Sequence, residues 1–176
     1  MKKSGRVAMG GLIAAMSIVV MLAAWFPYLT YALPALVGCL LIPVIIEIGR
    51  KQAWLVYGVT AILCFFLCET EAKVLYIVFF GYYVIIKSLL ERLRSKPLQW
   101  ALKFVVFNLA FAVYYLAVTY VFSLDIEGFG DFGKYTLLLF FVLCNVVFFI
   151  YDLAVTRVVW MYMSMLHNKM KKFFGE

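Results

Sequence analysis

The sequence predicts an all-α, polytopic integral membrane protein: a six-helix transmembrane bundle with both termini inside. Three observations predict it. Of 176 residues, 67% are hydrophobic and 14% charged, whereas soluble domains run about 45–50% apolar and about 25% charged. The charges lie between long apolar runs rather than along them. No stretch alternates with the period of two that a barrel strand needs. A soluble core of this size would still require a polar cover. Composition therefore excludes a soluble enzyme, a disordered tail and a disulfide scaffold. The net charge of +7 is the bias expected beside membrane spans. We expect the lipid bilayer as a partner and no nucleic acid, which would need a basic patch on a soluble surface.

The elements follow in order. The run from Val7 to Ile46 carries no charge. As one helix it would measure about 60 Å, roughly twice the bilayer core, so it must fold back. Pro27 and Pro34 flank Tyr28–Tyr31, which places the turn there. The first helix is then expected over 7–26 and the second over 33–49. Pro43 should kink the second, as membrane helices tolerate. The third is expected over 53–68. The fourth covers 74–90 and is interrupted by Lys87. The fifth covers 100–122, with Lys103 near its start. The sixth covers 135–165 and carries Asp152 and Arg157. Residues 1–176 form a single transmembrane domain.

Six spans put both termini on one side. If that side is inside, only Lys73 and Lys134 among the 16 Lys and Arg fall outside, as the positive-inside rule requires. Trp25 marks an outer helix end, and Trp54, Trp100 and Trp160 mark inner ends, as in an interfacial aromatic belt. The expected location is a cell membrane, multi-pass, with a bacterial plasma membrane favoured. The start, with Lys2, Lys3 and Arg6 before an apolar run, imitates a signal peptide. Its run is longer than a secretory one, so the segment should stay attached. Leu36–Cys39 matches a lipoprotein box but sits inside a continuing span, where it reads as a chance match.

The residues of common chemistries are missing. Cys39 and Cys144 lie within spans, and Cys64 and Cys68 are spaced four apart without a C-x-x-C; they read as packing residues. One histidine, His167, makes no zinc site. No G-x-S-x-G, H-E-x-x-H or P-loop occurs. The glycine-rich stretch Gly128–Lys134 fits no phosphate cradle and reads as a flexible outer connection. We therefore expect no enzyme, no metal and no cofactor.

Ionisable groups inside spans carry the functional signal. Depths counted at 1.5 Å per residue place Asp152 about 25 Å and Lys103 about 28 Å from the outer end. The match predicts a structural Lys103–Asp152 ion pair near the inner interface. Glu47 is low in the second helix, where Arg50 or Lys87 could neutralise it. Asn108 and Asn145, near mid-depth, suit hydrogen bonding between helices five and six or contact with a ligand. In the outer half, Glu69 and Glu71 are held at the surface. Tyr76, Tyr83, Tyr114, Tyr115 and Tyr120 supply aromatic faces, either as an interfacial belt or around an outward cavity. If a ligand binds there, Tyr83 and Tyr115 would stack on it, Asn108 or Asn145 would orient it, and Glu71 would meet its charge. The loop Ser123–Lys134 would cap the site. Acidic groups outnumber basic ones outside by five to two, which favours a neutral or cationic small molecule.

The first helix carries Gly10, Gly11, Ala14 and Ala15, two small-x-x-x-small pairs that let another backbone approach. That backbone can belong to the same chain or to a partner. The stretch Arg6–Met16 resembles the opening of a substrate-binding S component of an energy-coupling factor (ECF) vitamin transporter, and the later Pro43–Glu47 resembles that family's helix 2 region. The resemblance implies six spans, docking through small residues of the first helix, and capture of a small molecule such as a vitamin. It also implies a separate transmembrane coupling subunit with two ATPases, which would supply the hydrolysis. A rival reading is a non-enzymatic membrane scaffold of the cell-shape or sporulation type, which needs partner faces but no cavity.

Overall fold

The computed structural model describes residues 3–26, 28–117 and 136–165. Six helices account for nearly all of them: α1 Lys3–Leu22, α2 Ala32–Glu47, α3 Arg50–Leu67, α4 Thr70–Leu90, α5 Lys96–Leu116 and α6 Thr136–Met165. Among the described residues there is no strand. Four helical stretches are long and apolar enough to cross a membrane: Ser4–Trp25, Thr70–Leu90, Lys96–Leu116 and Phe141–Met165. Ala32–Glu47 is apolar but shorter. This is compatible with a multi-pass membrane protein.

The turns follow their residues. After α1, a 3-10 turn over Ala23–Trp25 leads to Tyr28, whose positive φ of 74° reverses the chain before α2. The α2–α3 connection is tighter and turns at Gly49, with φ 112°, a backbone region that glycine enters without steric cost. Pro43 lies within α2, which continues to Glu47. Pro97 lies in the first turn of α5, where its missing N–H is not needed.

The fourth helix departs from the expected start at 74 and begins at Thr70. The cause is Glu69. Its carboxylate accepts hydrogen bonds from the backbone N–H of Glu71 (3.0 Å) and Ala72 (2.9 Å). An anion at a helix N-terminus satisfies orphan donors and complements the dipole. The charges that read as a loop are therefore a cap.

α2 is the hub. Its Val37 packs with Met21 of α1 and Cys64 of α3, its Leu41 and Val44 with Ile85 of α4, and its Ile42 with Val155 of α6. Neighbouring helices come close at two glycines, one meeting a backbone and the other a side chain. A Cβ on Gly38 would lie 2.5 Å from the Phe80 carbonyl oxygen, and one on Gly81 2.5 Å from the Tyr57 ring. Immediately before Gly81, α4 widens into a π turn over Tyr76–Phe80. The Tyr57 hydroxyl donates to the Ile77 carbonyl oxygen within it, at 2.7 Å. Such a turn needs partners for displaced carbonyls, and Tyr57 is one.

Candidate functional site

The strongest concentration of chemistry is an ion cluster where α4, α5 and α6 meet, near the α4–α5 connection. α6 contributes Asp152, α4 contributes Tyr83, Lys87 and Glu91, and α5 contributes Lys103. Asp152, Lys87 and Lys103 are buried, as is Tyr83. The Asp152 carboxylate accepts from Tyr83 at 2.6 Å and from Lys103 at 2.9 Å, and forms a short contact with Lys87. Lys87 also donates to the Asp152 carbonyl oxygen and to Thr156 Oγ1, each at 2.8 Å. Glu91 bridges the two amines, 3.2 Å from Lys87 and 3.0 Å from Lys103. Two cations and two anions balance. Isolated charges in such a place would cost several kcal/mol each, so every member depends on the others.

Lys103 and Asp152 thus stand together, as their matched depths suggest. Lys87, however, is engaged with Asp152 and Glu91, while Glu47 accepts from the Tyr162 hydroxyl at 2.9 Å. Sequence reasoning did not place Lys87, Glu91 and Tyr83 in the cluster. The i, i+4 spacing of Lys87 and Glu91 was a usable signal.

The five residues expected to line a ligand site are spread out. Tyr83 is fully buried and bound to Asp152 rather than lining an outer cavity. Tyr115 is exposed on α5. Asn108 and Asn145 exchange hydrogen bonds at 3.3 Å, and each also donates to the carbonyl four residues earlier, in Phe104 and Phe141. Glu71 accepts from Tyr31 at 2.8 Å. The Tyr31 hydroxyl is pushed up to about 12, first by desolvation and then by its hydrogen bond to Glu71 and the nearby carboxylates. The space among α4, α5 and α6 around Tyr83 is filled by Phe79, Phe107 and Phe148. The last two stack at 4.5 Å and 11°. Tyr120 and the capping loop Ser123–Lys134 lie outside the described residues, as do Asp125, Glu127 and His167.

The small-residue face of α1 divides in two. Gly10 and Ala14 are buried, and a Cβ on Gly10 would lie 3.2 Å from Val56 of α3. Gly11 and Ala15 are exposed, and a Cβ on Gly11 would meet nothing within 4 Å. One pair closes the α1–α3 contact, and the other is open. No known family, no curated protein and no solved structure matches this chain.

Proposed function

We propose that the chain is a multi-pass membrane subunit, with both termini inside, that acts by assembling with a partner through α1. The observation that carries this reading is the divided small-residue face. Gly10 and Ala14 are used up within the fold, while Gly11 and Ala15 leave a second close-approach surface on the same helix. In its specific form, drawn from the resemblance, the subunit is an ECF-type S component. It binds a small neutral or cationic molecule such as a vitamin and delivers it by coupling to a separate transmembrane subunit and ATPases. The chain itself performs no catalysis in this reading.

A membrane scaffold is the second reading. The aromatic filling among α4, α5 and α6 favours it, because a scaffold needs no ligand cavity. Co-purification from native membranes, with mass spectrometry of bound proteins and small molecules, tests both. An S component should bring a coupling subunit, ATPases and a small molecule. A scaffold should bring proteins alone. Gly11→Leu should reduce recovery of the partner while the chain stays extractable; unchanged recovery removes the α1 face from the assembly. Cysteines introduced at Asp125 and Arg94 test orientation. The first should label in intact cells and the second only after permeabilisation; labelling of Arg94→Cys from outside would invert the topology.

A further inference from the structure

Charge and solvent are shared unequally in the ion cluster. Its buried members, Lys87, Lys103 and Asp152, are two cations and one anion. The balancing anion is Glu91, whose side chain is 39% exposed and lends one oxygen to both amines. Lys87 has three other acceptors for its three N–H groups: the Asp152 carboxylate, the Asp152 carbonyl oxygen and Thr156. Lys103 is less well supplied. It donates to Asp152 and Glu91 and lies 5.0 Å from the centre of the Trp100 ring. Withdrawing Glu91 would leave one cation in excess and Lys103 with a single carboxylate.

A cleft of about 100 Å³ opens beside Lys87 and Glu91. Lys87, Ser88 and Glu91 lie on its polar side, and Ile42, Ile45 and Val155 are among its apolar walls. In the connection just beyond, Arg92, Arg94 and Lys96 are exposed.

We propose that Lys87 and Lys103 form an anion site which Glu91 occupies from within, and that its external ligand is the phosphate of an anionic phospholipid. A carboxylate shared by two amines stands where a phosphate oxygen would stand. Exchanging one for the other keeps the cluster neutral and restores an acceptor to Lys103. The apolar walls suit the first few methylenes next to a lipid headgroup and disfavour a hydrated free phosphate. The exposed arginines and lysine raise the local concentration of anionic headgroups. The inference rests on the membrane reading above, but not on the orientation or on the S-component assignment.

The test uses the full-length chain reconstituted in mixed phosphatidylglycerol and phosphatidylcholine vesicles, with retained lipids read by native mass spectrometry. Glu91→Gln and Glu91→Ala both vacate the internal anion. Each should raise the retained phosphatidylglycerol-to-phosphatidylcholine ratio roughly tenfold, the scale of one charge-assisted hydrogen bond. Adding Lys103→Gln should abolish the gain. An unchanged ratio in both Glu91 variants, or a gain that survives Lys103→Gln, overturns the site. Retention that inorganic phosphate leaves intact supports the lipid as source; displacement by inorganic phosphate overturns it in favour of the free anion. Failure of the wild-type chain to enter vesicles would count against the membrane reading instead. Monodisperse elution of either Glu91 variant suffices to read the result.

Discussion

The helices α1–α4 and the pair α5–α6 are held by different means. In the apolar stretch of α4, 44% of residues are buried, and in α1 33%; in α5 and α6 the shares are 11% and 17%. The first group packs by close approach at Gly10, Gly38 and Gly81. The second meets the first through the ion cluster and the apolar contacts of Val155 with Ile42 and of Phe148 with Phe79, and its own two helices are joined by the Asn108–Asn145 exchange and the Phe107–Phe148 stack. In the multi-pass membrane reading proposed above, lipid tails are as apolar as leucine, so burial alone gives little reason for one helix to prefer another. Close packing of small residues and polar contacts remain, and each half relies mainly on one of them. Added volume should therefore damage the first group, and lost polarity the second.

The largest effect is expected at Asp152. Asp152→Leu leaves Lys87 and Lys103 buried with only Glu91 for charge balance. Removing one member of a buried ionic set costs about 3–5 kcal/mol. Thermal unfolding in detergent should show this loss, and limited proteolysis should cut α5 and α6 before α1–α4. A double-mutant cycle with Lys103→Leu should be strongly non-additive. Additive costs would mean that the cluster does not hold the second group.

Added volume comes next. Gly38→Ala sets a Cβ 2.5 Å from the Phe80 carbonyl oxygen, a backbone atom that moves only with α4. Overpacking of this kind costs about 1–3 kcal/mol. Gly81→Ala meets the Tyr57 ring, held by its bond to Ile77, and the Tyr76 carbonyl oxygen at 2.9 Å, so its cost should be similar. If Gly81→Ala proved the more damaging, the Tyr57 bond to the π turn would be the stronger constraint. Asn108→Leu and Asn145→Leu should each cost about 0.6–1.7 kcal/mol, the range for polar contacts between membrane helices. Their cycle should recover most of one bond, and independent costs would show that the amides serve only their own helices.

The sequence carries the comparison unevenly. Helix number, the reversal between Pro27 and Pro34, and the shared depth of Lys103 and Asp152 follow from apolar runs and rise per residue. Lys87 escaped for a traceable reason. It sits low in the fourth helix, where the sequence offers Glu47 as well as Asp152 at a similar level, and only the packing of α4 against α6 decides for Asp152. The division of the α1 face is illegible for another reason. Gly10/Ala14 and Gly11/Ala15 have the same spacing, and only the placement of α3 decides which pair is used. The filling among α4, α5 and α6 depends likewise on how Phe79, Phe107 and Phe148 interlock across three helices, which no single periodicity states.

The smallest effect sharpens the contrast because it concerns a similar bond in the other group. Tyr31 donates to Glu71 at 2.8 Å, much as Tyr83 donates to Asp152 at 2.6 Å. But Tyr31 is exposed, and the helices it links already pack through glycines. Tyr31→Phe should therefore cost only about 0.5 kcal/mol at neutral pH, the low end for a hydrogen bond. The folded state raises the Tyr31 hydroxyl from its ordinary 10.0 to about 12. The proton that binds Glu71 is thus present in full below about pH 10, and its stabilising effect is lost as pH rises through about 12. Ultraviolet titration of the wild type minus Tyr31→Phe should show one tyrosine ionising late, with the stability difference between the two shrinking over the same window. Ionisation near 10 would mean that the bond to Glu71 does not form. A neutral-pH cost as large as that of Asp152→Leu would show that the first group, too, depends on discrete polar contacts.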